Sequence, residues 1–424
     1  MKINKPAVLF LPKWYPYKGD PFDGNFVENH AHSIKQICDL KVLFVHSDEE
    51  IKGESNYVFE EKENQGIREL RVYFKKADSP IGLINRLINF IRYRKAQFLG
   101  YKRLYPDSKP DLCHVHVLAR SSFLALKLKK EENIPFVITE HWSGYLPENG
   151  ALKASGKATY YRRVANQAAA INTVSQHLAN AMKAHGIVNK FTVIPNVVDT
   201  SIFCNESGSK VKDDRTRTPD SNLIKKLEAD PSTQLRNQSQ RLEDNVNILF
   251  VGNILQRPKR ILDIIQVFGK IAKVRQDFKL HIYGEGRDEG RMLLMIRDLG
   301  LQEFIEYHGS TDRKGVAQAM QQADFLFLYS EFENQPCVIN EALCCGCPVV
   351  VPDIEGIVEF MQDDFGLLFP RLKAEKFEEA ILKMMDSHKN YDSSRISEMA
   401  AEKFGESSLA NQFSVFYQNA IENS

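Results

Sequence analysis

The chain has 424 residues, of which 43% are hydrophobic and 26% are charged, and its formal net charge is +1. This length exceeds what one hydrophobic core usually serves, and the balanced charge argues against a nucleic-acid partner. The first apolar run, in MKINKPAVLFLPKWYP, is shorter than a signal peptide requires, and no run reaches the roughly 18 residues of a membrane span. The seven cysteines, an odd number, are typical of a reducing compartment. The sequence therefore predicts a cytoplasmic protein of two domains.

Short apolar runs alternate with helical segments through the first half of the chain. They are AVLFLP, LKVLFVH, DLCHVHVL, FVITEH, AAAINTVS and FTVIPN. Continuous apolar runs separated by helices are typical of parallel strands buried on both faces. Residues 1–203 are therefore predicted to form a first doubly wound α/β domain.

The segment IGLINRLINFIRYRKAQFLGYKRLY is strongly basic and contains no acidic residue. Its cations are Arg86, Arg92, Arg94, Lys95, Lys102 and Arg103, and its apolar residues Leu83, Leu87, Phe90, Ile91 and Phe98 recur near helical spacing. A basic amphipathic helix at residues 83–103 lies on an anionic membrane surface or holds an acidic acceptor. An ordinary domain helix with a solvated face is an equal alternative. The first interpretation places the protein on the inner face of a membrane as a peripheral protein.

The second half of the chain follows a polar stretch. Residues 204–246 are rich in charge, Ser and Asn, so they are predicted to be a mobile insertion, with a short helix at LIKKLEA. The strand pattern then restarts with VNILFVGNI, FKLHIYGEG, FIEYHGS, ADFLFLYS, CPVVVPD and FGLLFP. Residues 247–400 are predicted to form a second doubly wound domain, and residues 401–424 a C-terminal helix that packs back on the first.

The stretch SEFENQPCVINEALCCGCPVV places Glu333 and Glu341 eight residues apart, on either side of Pro336. Glu333 is predicted to lie in a loop at the carboxyl end of a strand, and Pro336 to open the helix that carries Glu341. Carboxylates accept hydrogen bonds from vicinal hydroxyls, and the N–H groups of a helix start suit a diphosphate. A carboxylate, a helix start and a second carboxylate, in this order along the chain, suit the sugar, the diphosphate and the ribose of a nucleotide sugar. The same spacing would also arise if Glu333 were a solvated loop residue and Glu341 a helix-surface residue, with no ligand bound.

This stretch, continued as VVVPDIEGIVEF, resembles the E-x7-E signature of the retaining GT-B glycosyltransferases of family 4. The resemblance includes Cys345-Gly346, the strand Pro348 to Val350, and the turn formed by Gly356 and Glu359. It implies two Rossmann-like domains that face a cleft, with the donor on the second domain and the acceptor on the first. It also implies that Glu333 faces the donor sugar and that Glu341 binds the ribose hydroxyls.

The resemblance continues in ILFVGNILQRPKRILDIIQVF and LHIYGEGRDEGRMLLMIRDLGLQEFIEYHGS. In this family an arginine and a lysine six residues apart hold the donor phosphates. Lys259 matches the lysine, whereas Asn253 replaces the arginine, and Arg257 or Arg260 is a candidate substitute. The remaining donor-binding candidates, which offer backbone to the nucleotide, are Gly252, Gly284, Gly286, Gly309, Cys337 and Val338. Many members of the family have glycines between the first glutamate and the helix, where this chain has Asn334, Gln335 and Pro336. Pro336 itself has no N–H to offer.

In the first domain, FLPKWYPYKGDPFDGNFVENHAHSI resembles the family's glycine loop after the first strand. Gly24 and Asn25 are the expected turn residues on the acceptor side, with Gly19 as an alternative to Gly24. ITEHWSGY resembles the segment whose histidine contacts the donor sugar, which is His141 here. DLCHVHVL supplies His116, expected near the acceptor, and His114, equally well explained as a core residue. Ser175 is the expected cap of a helix, and Asn196 to Asp199 an interdomain turn.

Together these features predict an enzyme that transfers a sugar from a UDP- or GDP-sugar to a glycan, lipid-linked or small-molecule acceptor. The resemblance implies retention of configuration, a role in cell-surface polysaccharide or glycolipid synthesis, and the catalytic residues Glu333, His141 and Lys259. No cofactor is expected, since the nucleotide sugar is a substrate, and the resemblance implies that no metal ion is bound. The cysteines at 337, 344, 345 and 347 are better explained by packing than by a metal site.

Two alternatives stay open at this stage. The first is a non-catalytic nucleotide-sugar-binding protein that kept the fold. The second is another GT-B enzyme, an epimerase or an inverting transferase. A Rossmann oxidoreductase is disfavoured, because the glycine pattern Gly284-Glu285-Gly286 lacks the third spaced glycine of that fingerprint.

Overall fold

The structure is a computed structural model that describes residues 5–51, 54–205 and 245–423. Most of the predicted insertion 204–246, including the short helix at LIKKLEA, lies outside the described residues. The described chain divides into two compact units. The first contains the residues up to Asp199, the loop Phe332–Cys337 and the residues from Glu402 onward, and the second contains Thr200–Glu331 and Val338–Ala401. The loop Phe332–Cys337 therefore belongs to the first unit, although its sequence lies within the predicted second domain.

The first unit is built on an eight-stranded sheet in the order β3-β4-β2-β1-β5-β6-β7-β8. All neighbouring strands are parallel except β3 and β4, which form an antiparallel hairpin. The strands are β1 (Ala7–Pro12), β2 (Asp39–Asp48), β3 (Tyr57–Asn64), β4 (Ile67–Lys75), β5 (Leu112–His116), β6 (Phe136–Glu140), β7 (Ala170–Thr173) and β8 (Phe191–Val193). The predicted apolar runs form β1, β2 and β5 to β8, whereas the hairpin was not predicted.

Helices cover both faces of this sheet. They are α1 (Asn25–Ile34), α2 (Gly82–Leu104), α3 (Ser122–Glu132), α4 (Ala151–Ser155), α5 (Ala158–Ala165) and α6 (Gln176–Ala184), and the C-terminal α14 (Glu406–Glu422). The predicted cap of α6 is confirmed, since the Ser175 hydroxyl accepts a hydrogen bond from the Leu178 N–H at 3.1 Å. In the ranges that the structure describes, no helix is both long and apolar enough to span a membrane.

The core of the first unit explains why β1 reads as an uninterrupted apolar run. Leu9 and Leu11 belong to the buried cluster on one face, whereas Val8 and Phe10 belong to the cluster on the other. The second cluster also contains Leu409, Phe413, Phe416 and Tyr417, so α14 packs on the first unit through its apolar side. Each such fully buried side chain contributes about 1.5–3 kcal/mol to folding.

The second unit is built on a six-stranded, fully parallel sheet in the order β11-β10-β9-β12-β13-β14. Its strands are β9 (Val246–Val251), β10 (Phe278–Tyr283), β11 (Ile305–Gly309), β12 (Phe325–Phe327), β13 (Val349–Pro352) and β14 (Gly366–Phe369). The helices that follow in chain order are α7 (Ile261–Ile271), α8 (Glu289–Asp298), α9 (Arg313–Gln322), α10 (Cys337–Cys344), α11 (Glu355–Val358), α12 (Ala374–Ser387) and α13 (Ser393–Phe404).

The strand orders locate the places where each sheet can bind a ligand. The second sheet has the doubly wound Rossmann order, in which the winding reverses between β9 and β12, and the first sheet reverses between β1 and β5. Loops diverge at such a switch point and leave a crevice outside the carboxyl ends of the strands. The predicted fold class, an α/β protein with two Rossmann-like doubly wound domains, is confirmed.

Candidate active site

The loop after β1 reaches its helix through Gly24. Gly24 has a φ of 66° and directly precedes α1, and a Cβ placed there would lie 2.3 Å from the carbonyl carbon of Trp14. At Gly19 the nearest atoms belong to the side chain of Tyr17, which can move, and the φ is not positive. The backbone therefore requires glycine at Gly24, and Asn25 begins α1.

Four imidazoles meet near the carboxyl ends of β1, β5 and β6. They are His30, His114, His116 and His141, with ring centroids 4.1–5.5 Å apart along the chain of neighbours. Burial lowers the pKa of each of them, to about 4 for His30, and the neighbouring imidazoles lower the pKa of His114, His116 and His141 further. The cluster is therefore uncharged at neutral pH. His30 was not singled out in the sequence.

The hydrogen bonds of this cluster fix the tautomer of His141. Its Nδ1 lies 3.1 Å from the Asn196 side-chain oxygen, so Nδ1 carries the proton and donates it. Its Nε2 is then an acceptor, and it lies 3.3 Å from Nδ1 of His116, which must be the donor. Both ring nitrogens of His141 are thus used within the first unit. His114 is a satisfied core residue, since its two nitrogens bond to Tyr417 at 2.5 Å and Thr139 at 2.7 Å.

Asn196 joins these histidines to the loop that carries Glu333. The Asn196 backbone N–H and side-chain amide donate to Oε1 and the carbonyl oxygen of Gln335, at 2.5 and 2.8 Å. The Asn334 amide donates to the His141 carbonyl oxygen at 2.7 Å. The loop is therefore held by the polar side chains of Asn334 and Gln335, at two of the three positions where this chain departs from the family's glycines. Glu333 lies between these anchors and Phe332, and its side chain is half-buried.

A buried carboxyl supports the turn in which His141 lies. Glu140 accepts hydrogen bonds from the backbone N–H groups of Leu118, His141 and Trp142 at 2.9–3.0 Å. Burial raises its pKa, whereas these donors and the charge of Lys13 oppose the increase. Lys13 stacks 4.2 Å from the ring centroid of Trp14, and its own pKa is lowered by burial. The arrangement fixes the backbone of His141 independently of its ring.

In the second unit, three glycine-containing loops pack directly against one another. Gly252 donates its N–H to Tyr283 at 3.0 Å, and Gly284 donates to Gly309 at 2.8 Å. A Cβ at Gly284 would lie 2.0 Å from the Gly252 carbonyl oxygen, and one at Gly286 would lie 2.4 Å from that of Ile254. Gly284 and Gly286 are thus required by contact between neighbouring loops. Gly309, with a φ of 71°, has open space where its side chain would be.

The loop between β9 and α7 carries the predicted phosphate-binding cations. The half-buried side chain of Lys259 runs beside Gly252, 3.9 Å from the position of its missing Cβ. Arg257 and Arg260 share the carboxylate of Glu331, at 2.8 and 3.0 Å, and Arg260 also pairs with Asp263 at 2.6 Å. Both candidate substitutes for the family's arginine are therefore committed to carboxylates in this structure. Asn253, which replaces that arginine, is exposed.

Helix α10 begins at Cys337, directly after Pro336, and carries Glu341 on its second turn. Burial raises the pKa of the Glu341 carboxyl to about 7, although the charge of Arg313 at the start of α9 opposes the increase. Cys337 and Val338, the predicted N–H donors, are half-buried. Cys344, Cys345 and Cys347 are fully buried, and burial raises the pKa of Cys344 and Cys347, in agreement with a packing role.

The structure thus distributes the predicted residues over the carboxyl ends of two sheets. The first unit holds Gly24, Asn25, His116, His141 and Glu333, and the second holds Lys259, Gly252, Asn253, Arg257, Gly284, Gly286, Gly309 and Glu341. His116 is completely buried. The sequence reasoning missed the contacts made by Asn196, Glu331 and Arg313. Only Glu331 had a local signal, since it is a second carboxylate beside Glu333 in the SEFEN stretch.

Two solved structures share this fold over almost the whole chain. Sucrose-phosphate synthase from Thermosynechococcus elongatus aligns over 99% of this chain and 100% of its own, with a TM-score of 0.70 at 16% identity. The Anabaena protein HepE, solved in complex with UDP-glucose, aligns over 97% of this chain and 99% of its own, with a TM-score of 0.64 at 14% identity. The fold that these proteins share is that of the GT-B glycosyltransferases.

The sequence comparisons identify the family within that class. The sequence model of glycosyl transferases group 1 matches residues 231–402, and the model of glycosyltransferase family 4 matches residues 58–202. The chain belongs to glycosyltransferase family 4, and the group 1 model describes its second half.

Two curated relatives illustrate the range of acceptors found among similar proteins. N-acetyl-alpha-D-glucosaminyl L-malate synthase of Bacillus anthracis is 25% identical over 45% of this chain. The match spans only about half (49%) of that enzyme's length. N-acetylgalactosamine-N,N'-diacetylbacillosaminyl-diphospho-undecaprenol 4-alpha-N-acetylgalactosaminyltransferase of Campylobacter jejuni is 26% identical over 62% of this chain and 70% of its own.

Proposed function

We propose that this protein transfers a sugar from a UDP- or GDP-sugar to a glycan or lipid-linked acceptor, with retention of anomeric configuration. The observation that carries the proposal is the switch point of the second sheet. There a lysine lies against closely packed glycine loops, and the helix that follows β12 carries a carboxyl. A cation suits the diphosphate of such a donor, and a carboxylate suits its ribose hydroxyls.

Each donor-side residue has a distinct role in this proposal. Lys259 offsets the charge that develops on the departing diphosphate, helped by the N–H groups of Cys337 and Val338 at the start of α10. Glu341 accepts hydrogen bonds from the ribose, and Glu333 accepts them from the donor sugar. The backbone of Gly252, Asn253, Gly284 and Gly309 borders the nucleotide, with Arg257 at the rim. The cations and the helix dipole make a metal ion unnecessary for transfer, so EDTA should leave turnover unchanged.

The first unit supplies the acceptor side. Burial holds His141 neutral, and both of its ring nitrogens are bonded within the first unit, so it would contact the donor sugar as an uncharged ring and not as a cation. His116 orients His141 through the bond between their rings, and the loop capped by Gly24 and Asn25 borders the acceptor. The acceptor hydroxyl attacks the face of the sugar from which the diphosphate leaves, and the leaving phosphate takes the proton.

Replacement of the two charged residues tests the proposal. A charge-assisted hydrogen bond contributes about 1.5–3 kcal/mol, so Lys259→Ala and Glu333→Ala should each lower kcat/KM by about one to two decades. Lys270→Ala is a suitable control, because Lys270 is an exposed lysine on α7 that pairs loosely with Glu378 at 3.9 Å. Wild-type turnover in both site variants, with a verified donor and unchanged folding by circular dichroism, would contradict the assignment.

The donor and the stereochemistry need separate measurements. A thermal-shift screen against UDP-, GDP- and ADP-sugars identifies the donor, since a ligand at a hundred times its dissociation constant stabilises the fold by about 2.7 kcal/mol. The solved UDP-glucose complex of HepE supports testing UDP-sugars first. The anomeric configuration of the product by NMR then decides between retention and an inverting transferase, and release of a free epimerised nucleotide sugar would indicate an epimerase.

A lipid-linked acceptor would bring the protein to a membrane, and α2 has the surface for such a contact. Leu83, Leu87 and Ile91 are 73%, 60% and 55% exposed and recur at helical spacing. The exposed cations Arg94, Lys95 and Lys102 follow along the same helix. Exposed apolar side chains next to cations suit an anionic membrane surface. The undecaprenol-linked acceptor named for the Campylobacter relative supports this part of the proposal.

Vesicle co-sedimentation tests the contact. We expect the protein to pellet with vesicles that contain phosphatidylglycerol and to remain in solution with phosphatidylcholine, with binding weakened by salt. Ile91→Ser should weaken binding, and the pair Lys95→Glu and Lys102→Glu should abolish it. The control pair is Lys130→Glu with Lys153→Glu, two exposed lysines elsewhere in the first unit. Equal pelleting of the α2 and control variants would contradict a specific role for α2.

Asn253 favours one second candidate, a protein that binds a nucleotide sugar without transferring it. The family's arginine is absent there, and Arg257 and Arg260 are paired with Glu331. Donor binding without transfer or hydrolysis over a panel of acceptors would support this candidate. An Asn253→Arg variant that gained turnover would show that the missing cation is the cause.

A further inference from the structure

Two histidines and a glutamate form a cluster on the second sheet, outside the residues proposed for sugar transfer. His281 lies on β10, and Glu306 and His308 lie on its edge neighbour β11. Nδ1 of His281 and Nε2 of His308 are 3.0 Å apart, and each lies 3.9 Å from an oxygen of Glu306. One potential ligand atom from each residue therefore lies within 4.8 Å of the other two.

The strand register brings these side chains to one face. Glu306 and His308 are two residues apart on β11, so both point to the same side of the sheet, and His281 pairs with Glu306 across the strands. A register shift after Ile282 pairs Tyr283 with Gly309 instead of His308. The extra residue tilts His308 across β10, where its ring stacks on Tyr283 with centroids 4.3 Å apart at 8°. The ring of His308 is thus held in place by packing.

We propose that His281, His308 and Glu306 bind a divalent transition-metal ion of the zinc class. Zinc takes histidine nitrogens at about 2.0–2.1 Å and carboxylate oxygens at about 2.0–2.2 Å in tetrahedral geometry, which puts ligand atoms about 3.3 Å apart. The two nitrogens are already within a few tenths of an ångström of that spacing. Each nitrogen is about 0.6 Å too far from its nearest Glu306 oxygen, which is Oε2 for His281 and Oε1 for His308. Because the Glu306 side chain is 52% exposed, a small rotation brings it into range.

The two imidazoles share a proton in the present arrangement, since one ring must donate to the other across 3.0 Å. A metal ion replaces that proton and uses both lone pairs. Three protein ligands leave the fourth position to water, as in a zinc site that is open to solvent. Neutral imidazole nitrogens and one carboxylate suit Zn²⁺ and Ni²⁺ and disfavour Mg²⁺ and Ca²⁺, which prefer oxygen ligands.

The position of the site gives it a structural role. The Tyr307 hydroxyl, from the residue between Glu306 and His308, donates to the Gly284 carbonyl oxygen at 2.9 Å. Gly284 in turn donates its N–H to Gly309 at 2.8 Å. A cation that joins β10 to β11 therefore ties these strands just before the two glycine loops. Metal binding is expected to stabilise the second unit and to take no part in sugar transfer.

Isothermal titration of the untagged full-length protein with Zn²⁺ tests the proposal, with thermal unfolding as a second readout. We expect saturable binding at one site that is reversed by EDTA, with a higher Tm in the metal-bound protein. Because loss of a residue that only supports a zinc ligand already costs about 10- to 100-fold in affinity, loss of a ligand in His308→Gln or His281→Ala should cost at least that. Glu306→Gln should weaken binding less. His46→Gln removes an imidazole of the first unit outside the cluster and should bind like the wild type.

Co²⁺ substitution distinguishes this site from cysteine binding. The expected absorption spectrum shows tetrahedral nitrogen and oxygen ligation without a thiolate charge-transfer band, and it is lost in His308→Gln. A thiolate band, or binding that His308→Gln and His281→Ala leave unchanged, would overturn the proposal. So would no Zn²⁺ uptake by the folded wild type. Circular dichroism shows whether a variant is folded, and Glu306→Gln, at an exposed position, provides the test if a histidine variant is not.

Discussion

Glu341 connects the proposed ribose contact to a pH dependence that can be measured. Burial raises the pKa of its carboxyl to about 7, so near neutral pH only about half of the molecules carry the carboxylate that would accept hydrogen bonds from the ribose. The ionised form binds, and the protonated form must first lose its proton. Affinity for a nucleotide sugar should therefore be highest above pH 7 and fall as the pH decreases.

The magnitude follows from this linkage. With a pKa of about 7, the apparent dissociation constant is about 1.1 times its limiting value at pH 8 and about 11 times that value at pH 6. Affinity should therefore fall about ten-fold between these two pH values. Glu341→Gln removes the charge-assisted bond, worth about 1.5–3 kcal/mol, and should weaken binding about 10- to 150-fold at pH 8. The variant should lose the pH dependence as well.

Isothermal titration with an intact UDP- or GDP-sugar is the appropriate assay, because a free nucleoside diphosphate titrates near pH 6 itself. Arg313→Gln removes the charge that opposes the increase in the Glu341 pKa and should move the midpoint to higher pH. Glu379→Gln, at an exposed carboxyl on α12, is the matched control. If Glu341→Gln bound the donor like the wild type, or kept the wild-type pH profile, Glu341 would not be the ribose ligand.

Three further predictions concern stability, each measured by urea unfolding. Gly284→Ala should cost about 3 kcal/mol or more, because its Cβ would lie 2.0 Å from the Gly252 oxygen, whereas Gly309→Ala, with open space, should cost only about 1–2 kcal/mol for its positive φ. The His30 pKa falls from 6.5 to about 4 on folding, so protons bind the unfolded state first as the pH decreases. The free energy of unfolding should therefore be highest above pH 6.5 and lower by about 2 kcal/mol at pH 5, with a smaller decrease in His30→Gln. Asn196→Ala should cost about 1–3 kcal/mol and increase amide exchange in the loop Phe332–Cys337. The control Asn180→Ala, at an exposed position, should change stability by less than about 0.5 kcal/mol. Equal effects of the two variants in any of these three comparisons would count against the contacts described.

The sequence predicted most of the parallel strands because the central ones are buried on both faces and read as one apolar run. It failed at β3 and β4, where one face of a hairpin is polar and the run is interrupted by charges. The hairpin had a local signal in Gln65-Gly66, which adopt positive φ values of 50° and 85° at the turn. A search for alternating strands on either side of that pair would have found it.

The sequence proposes the residues of the candidate site but not the contacts around them. Motif spacing pointed to Lys259, Glu333, Glu341 and His141, because each follows a strand end. The contacts that hold the surrounding loops join residues far apart in the sequence, and of these residues only Glu331 has a local signal. Glu331 engages Arg257 and Arg260 from 71 or more positions away, and Asn196 reaches Gln335 from 139 positions away. Such pairs are decided by the fold, and therefore only the structure shows them.

The hydrogen bonds that Asn334 and Gln335 make to other residues explain why this chain can replace the family's glycines in the loop Phe332–Cys337. Glycines there would leave the loop held by its backbone alone. Here the Asn334 amide binds the carbonyl oxygen of His141, and the Gln335 side chain accepts from the backbone of Asn196, which also fixes the His141 ring. The loop that carries Glu333 and the histidine that would face the donor sugar are therefore positioned by one shared network. Substitution of Asn334 or Gln335 should therefore disturb the positions of both Glu333 and His141. The residues that replace the family's glycines thus act together on the two proposed sugar contacts.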